Sequence, residues 1–365
     1  MPYQIRRTPI AAVPAEVWAD LASGSMPTVQ KCWALALSQT LNRNDDSIAL
    51  VAAEDGRPKA VLAGFTTRRR PAVLRLLGDG LWEPLGVASS HPSALVAVMR
   101  HLAERGQPIA FARVPSDSAL VSAVRDAYRG RGIIVERPWT DEGCPFIALD
   151  PSWEAPESHF NSGRRSDFRR MRRNAEAIGP IRVEILSPTA ADAPSIVDTA
   201  FQVEAASWKG ESGSAVLHHP ERLAFFHAFA KNAAASGLLR IAFLHIGDSI
   251  AAMQYAIECG GGFWLFKIGY DRRFERASPG ALLMLETLAH AARSGLATYE
   301  FLGVEAGWTR AWTTTVRPMT SLRAFPINAS GARAYLDFLS DDRLRPLLRR
   351  LQRSRDVGPA STAQR

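Results

Sequence analysis

Between Lys267 and Leu288 the sequence reads KIGYDRRFERASPGALLMLETL. It opens like a strand, passes through a charged turn, and reaches Ser-Pro-Gly at the head of an apolar run. Each residue of that step has a physical use. Ser278 suits the N-cap of a helix, Pro279 the first helical position, and Gly280 lets a ligand approach bare backbone. The free N–H groups and the dipole at a helix start favour an anion. Arg272, Arg273 and Arg276, just upstream, carry guanidinium groups that match phosphate oxygens. The chemistry expected here is phosphate binding at a helix start; a capped helix beside a solvated basic loop is the alternative reading.

A second basic element lies upstream. In HFNSGRRSDFRRMRRNAEAIG, Arg164, Arg165, Arg169, Arg170, Arg172 and Arg173 leave Phe168, Met171, Ala175 and Ile178 on one side, the pattern of an amphipathic helix with a basic face. Over the whole chain of 365 residues, 44 Lys and Arg against 36 Asp and Glu give a formal charge of +8, which favours anionic partners. No aromatic-interleaved or recognisable DNA-binding pattern accompanies that charge, so DNA is not an expected partner. Cys32, Cys144 and Cys259 are scattered and form no CxxC pair, as suits a reducing cytoplasm. The histidines show no metal-ligand spacing, and no metal is expected; His218 and His219 read as a polar loop before Pro220 or as a site pair. The sequence shows neither a secretory h-region nor a run of apolar residues long enough to span a bilayer.

The elements that would position these groups come in two series. SIALVAAEDG and AVLAGFTT read as strands around a turn at Asp55–Pro58, followed by a strand over 72–80, a helix over 92–105, the strand PIAFARV, a helix in SDSALVSAVRDAYRGRG, and the strands IIVERPW and PFIALD. After the Pro- and Ser-rich PSWEAPES comes the basic helix, then the strand IRVEILS, helices in ADAPSIVDTAFQVEAASWKG and HPERLAFFHAFAKNAAASG, and three strands ending in GFWLFKIGY. A helix over 280–293 and the strand ATYEFLG close the series. This is an α+β pattern of mostly antiparallel strands flanked by helices, and the halves share a similar plan. The expected units are 1–150, 151–335, and a tail over 336–365 in which Leu344, Leu347, Leu348 and Leu351 form an apolar stripe among arginines.

Three motifs, in order, resemble the CelD-type acetyltransferases of the GNAT fold, related to the tandem FemABX proteins. They are RRSDFRRMRRNAEAIG, EAASWKGESGSA over 204–215, and the strand–YD–SPG–helix–YEFLG succession. The resemblance covers about 150 to 310 and implies two tandem GNAT-like domains, the first degenerate. It departs from the family after YEFLG, where GVEAGWTRAW has Trp308, Arg310 and Trp312 but lacks the family's lysine.

The resemblance implies acyl transfer from acyl-CoA, a co-substrate rather than a resident cofactor, to an amine or hydroxyl. Pyrophosphate would sit at Ser278, Pro279, Gly280 and Ala281 with Arg272 and Arg273 nearby, and the thioester oxygen on a backbone N–H of the preceding strand at Ile268. A carboxylate must take the proton of an amine acceptor; Glu204 and Asp271 are the candidates. Tyr270 can protonate the leaving thiolate. Trp208, Lys209 and Arg310 are the acceptor-side candidates, with packing the plainer role for Trp208.

The expected activity is acyl-CoA-dependent N- or O-acylation of a cell-envelope precursor. The acceptor would be a lipid or sphingoid amine at the cytoplasmic membrane face, or an exopolysaccharide unit. The basic helix and the Leu-Arg tail point to an anionic membrane surface. Two other readings stand beside it: an aminoacyl-tRNA-dependent transferase of the FemABX kind, for which no coiled-coil arm is visible and tRNA is not favoured, and a non-catalytic scaffold.

Overall fold

The computed structural model describes residues 3–66, 71–138 and 143–340. The leucine stripe at 344–351 lies outside the described residues, as do the side chains of Trp208 and Glu211. The first series runs β1 (Tyr3–Thr8), α1 (Ala15–Ala22), α2 (Lys31–Gln39), β2 (Asp46–Glu54), β3 (Arg57–Thr66), β4 (Leu74–Leu76), β5 (Ala88–Ser89), α3 (Pro92–Glu104), β6 (Ile109–Pro115), α4 (Ala119–Tyr128), β7 (Gly132–Pro138) and β8 (Cys144–Ala148). The second runs α5 (Ser162–Glu176), β9 (Ile181–Leu186), α6 (Ala193–Ala205), α7 (Trp208–Glu211), α8 (Pro220–Ala235), β10 (Leu239–Ile246), β11 (Ser249–Cys259), β12 (Gly262–Tyr270), α9 (Pro279–Arg293), β13 (Thr298–Glu300), α10 (Gly307–Arg310), β14 (Val316–Arg317) and β15 (Met319–Pro326).

Two mixed sheets result. One has the order β1-β2-β3-β4-β6-β15-β7 with β5 on β3, the other β14-β8-β13-β12-β11-β10-β9. Each contains a single parallel pair among the described residues, β4 with β6 and β12 with β13. In each case the two strands are joined through a helix, α3 or α9, because a parallel connection must cross back over the sheet. The fold is α+β with two tandem GNAT-like units. The units also exchange strands. β8 follows the first series yet pairs with β13, and β15 follows the second series yet lies between β6 and β7. Sequence order alone offers no sign of this exchange, since either strand reads as the end of its own series.

β10, β11 and β12 sit centrally in their sheet and are buried along most of their length, because apolar layers cover both faces. Met253, Tyr255 and Ile257 face one apolar cluster with Phe225, Phe226 and Phe229 of α8, while Ala252 and Ala256 face the side covered by α9. The first cluster takes residues from both series. Trp33 of α2 is fully buried with edge-on contacts to Phe225 and Phe229, centroids 5.2 Å apart. Aromatic pairs in this arrangement add to the gain from burial itself, so the two units share one core.

Several elements escape a reading of the sequence alone. β1, α1 and α2 are short, and β15 is recognisable only through its partners. The strand expected over 72–80 is limited to Leu74–Leu76, because Gly78 and Gly80 adopt φ of 95° and 97° and turn the chain away.

Candidate active site

β12 and β13 pair over three residues only: Gly262 with Thr298, Phe263 with Tyr299, Trp264 with Glu300. Beyond that point they part. β12 continues to Tyr270 along β11, whereas the chain after Glu300 turns through Leu302 and Gly303, at φ 58° and 60°. The wedge between them opens into a cavity of about 670 Å³. Its walls come from β12, the start of α9, the turn after β13 through α10, and Arg164 and Met171 of α5; Trp82 and Glu83 of the first unit close one side.

The strand that forms the main wall is irregular. Tyr255 pairs with Lys267 and the next residue, Ala256, pairs with Leu265, so Phe266 is an extra residue in β12. A bulge of this kind breaks the ladder and re-aims side chains. Its effect is visible: Phe266 belongs to the aromatic cluster of α8, and the next residue, Lys267, also turns to that face, with its ammonium 5.0 Å from the Phe226 ring. Burial pushes the Lys267 pKa below the usual lysine value, while Glu83 and Glu204 pull it the other way.

At the mouth stands α9. Ser278 does occupy the position before Pro279, but its φ is 48° and its side chain makes no capping bond. The expected Ser N-cap is therefore replaced by a left-handed corner that also ends the preceding 3-10 turn. The Ala281 and Leu282 N–H groups turn back to the Ser278 carbonyl, at 3.0 and 3.3 Å. Gly280 faces open space: a β-carbon there would meet only the edge of Tyr270, 4.0 Å away.

Of the residues singled out in the sequence, Ile268, Tyr270, Ser278, Gly280, Ala281 and Lys209 line this cavity; Pro279 is buried behind its neighbours. Glu204 and Asp271 do not line it. The Glu204 carboxylate is 1% exposed; one oxygen accepts from Lys209 Nζ at 3.0 Å and the other from the Val216 N–H at 3.0 Å. Lys209 Nζ also donates to the Ile268 carbonyl at 2.7 Å, tying α7 to the cavity wall. α6 can come this close because Gly269 has no side chain, and a β-carbon there would lie 2.6 Å from Glu204 Cα. Asp271 caps the 3-10 turn and holds Arg273 at 2.6 Å. Burial pushes its pKa up, but the side-chain and backbone hydrogen bonds from Arg273 outweigh that and hold the carboxyl below the usual range. Arg272 and Arg273 are exposed and outside the cavity lining, and Arg310 is turned to Glu305 at 2.8 Å. His218 and His219 also lie off the cavity.

Two cavity groups, Trp82 and Glu83, carry no role in the sequence reading, and Lys267 figures there only as the start of a strand. Of the six arginines singled out in α5 only Arg164 lines the cavity; it lies over Phe168 at 4.8 Å, and its buried Nε has no hydrogen-bond partner. Glu83 carried one faint signal, a charge inside the turn-flanked apolar stretch GLWEPLG. No group of three or more potential ligands that could hold a metal occurs among the described residues, and none of their helices is long and apolar enough to cross a membrane.

Residues 162–310 match the family model described as an acetyltransferase (GNAT) domain. The protein is an acyltransferase, and this segment is the part of it that the GNAT model covers. No curated protein matches it significantly. Among solved structures, FemX is similar at 9% identity, with a TM-score of 0.60 over 88% of this chain and 98% of FemX. A conserved protein of unknown function from Bacteroides thetaiotaomicron VPI-5482 is similar at 12% identity, TM-score 0.56, over 88% of this chain and 98% of that one. The C-terminal domain of a putative lysylphosphatidylglycerol synthetase from Agrobacterium fabrum is similar at 12% identity, TM-score 0.54, over 90% and 96%. At these identities the likeness is one of fold. It extends across both units, beyond the matched GNAT segment.

Proposed function

We propose that this GNAT unit binds an acyl-CoA in the wedge between β12 and β13. It passes the acyl group to an amine of a cell-envelope precursor, a lipid or sphingoid amine being preferred, at the cytoplasmic face of the membrane. The observation that carries the reading is the wedge itself: a parallel pair splayed beyond three residues, with the open start of α9 at its mouth. The pyrophosphate lies against Gly280 and the dipole of α9, within reach of Arg164. The acyl thioester runs along β12, where the bulge at Phe266 interrupts the ladder and can present backbone N–H groups to the carbonyl oxygen. Tyr270, on the same wall, supplies a proton to the departing sulfur. Most of the rate gain comes from holding donor and acceptor together in a largely apolar cleft. Trp82 and Trp308, 58% and 43% exposed on the cavity wall, suit an acceptor with an apolar part.

Titration calorimetry with acyl-CoA, paired with thiol detection of released CoA, tests the reading. Gly280→Leu should weaken acyl-CoA binding at least about tenfold, since its side chain enters the space the phosphates need. Its melting temperature should stay close to that of the parent, because the site is sterically open. Equal affinity in parent and variant overturns the pyrophosphate seat, and a parent chain that binds no acyl-CoA overturns the function.

A further inference from the structure

Neither carboxylate favoured by the sequence reaches the cavity, so an amine acceptor has to find its acid partner elsewhere. Among the described residues Glu83 is the acidic one that lines the wall, and it comes from the first unit. It is 8% exposed, and its Oε2 has no hydrogen-bond partner. An unpartnered buried carboxylate oxygen is costly to keep, and its retention in a cavity points to a ligand that completes it.

The loop that carries Glu83 is firmly held. Thr28 Oγ1 donates to the Pro84 carbonyl at 2.6 Å, and the Leu85 N–H donates to the Arg113 carbonyl at 2.9 Å. Leu85 is itself buried. Arg113 is in the left-handed region at φ 50°, and its guanidinium donates to the Gly303 carbonyl, in the turn where β13 leaves β12. One residue of β6 therefore fixes both the Glu83 loop and the far wall of the wedge. A non-glycine residue at positive φ persists only where its surroundings over-determine it. Lys267 feels Glu83 electrostatically, and the Arg113 guanidinium is engaged by Gly303 and Cys144; neither is hydrogen-bonded to Glu83 Oε2.

We propose that Glu83 is the carboxylate that receives the ammonium end of the acceptor, so that the first unit supplies a catalytic residue to the active site and the acceptor is a primary amine rather than an alcohol. This rests on the acyl-CoA reading of the same cavity. The ammonium N–H bond breaks and its proton passes to Glu83 Oε2. The nitrogen lone pair then forms a C–N bond to the thioester carbon, and the carbonyl pair moves to oxygen. When the carbonyl reforms, the C–S bond breaks; the thiolate takes the second nitrogen proton through the Tyr270 hydroxyl, and Glu83 returns its proton to water. The products are an amide and the CoA thiol.

The test uses the full chain, with octylammonium chloride and 1-octanol as probes of equal chain length, and acyl-CoA titrated separately. The parent should bind octylammonium about tenfold more tightly than octanol, the size expected of a charge-assisted contact. Glu83→Gln should lose that preference and keep its acyl-CoA affinity, and Glu83→Asp should recover part of the preference. The melting temperature of Glu83→Gln should stay close to that of the parent, because glutamine keeps the shape and Oε2 makes no hydrogen bond for the substitution to break. The proposal is overturned if the parent does not distinguish the probes, if E83Q distinguishes them equally well, or if E83Q melts several degrees lower or fails to fold, which makes Glu83 a structural group. Loss of acyl-CoA binding by the parent would instead count against the donor site, and the two failures are read from separate titrations.

Discussion

At the scale of single residues, burial decides what a carboxylate can do. Glu204 sits four residues before Trp208 in a stretch resembling a known motif, and on sequence it is as good a base as any. In the fold it is an internal anchor: one oxygen is held by Lys209, the other by a backbone N–H. Removing one partner of a buried pair leaves an uncompensated charge, so Lys209→Met should cost about 3 kcal/mol, measured as a shift of the urea midpoint. A loss within about 1 kcal/mol, the worth of an exposed pair, would contradict this anchoring role. Glu83 is the converse case. Its neighbours in sequence say little about it, and only the walls of the wedge show that it is the acid on the cavity side.

At the scale of elements, the basic helix divides into one arginine that lines the cavity and others that do not. Arg164 lies at the N-terminal end of α5, where Phe168 and Trp312 support its guanidinium. Arg169 and Arg170 are exposed, and Arg170 pairs with Asp167 at 2.9 Å. Arg164→Ala is expected to weaken acyl-CoA binding about tenfold by calorimetry, the worth of one charge-assisted contact. The double variant Arg169→Ala, Arg170→Ala should leave it unchanged. Equal losses in both would return the whole helix to a diffuse electrostatic role. The same scale accounts for Ser278. Ser-Pro-Gly was legible as a helix start, and α9 does begin at Pro279. The loss of the capping bond was not legible, because Ser278 also ends the preceding 3-10 turn and sits in a left-handed corner.

At the scale of the whole molecule, the exchanged strands make each unit incomplete without the other. A chain ending at 150 lacks β15, which lies between β6 and β7; a chain of 151–335 lacks β8, which lies between β13 and β14. Each fragment would also expose its side of the core around Trp33, Phe225 and Phe229. Neither fragment alone should give a cooperative thermal transition, while the two produced together should elute as one complex in size exclusion. Cooperative melting of the isolated second fragment would show that its sheet closes without β8.

The order of residues alone settles local features: strands where apolar residues alternate, helices where they recur at 3.6, the start of α9 at Pro279, and the acyl-transfer class through motifs confined to one stretch. Periodicity and capping signals act over a few residues, so they survive without any knowledge of partners. The tertiary structure alone decided which strands changed sheets, that Glu204 faces inward while Glu83 faces the cavity, and that one arginine of α5 reaches it. These depend on contacts between residues far apart in the chain, such as Arg113 with Gly303, 190 positions away. The strength of such a contact is set by burial and geometry, neither of which is written in the neighbouring residues.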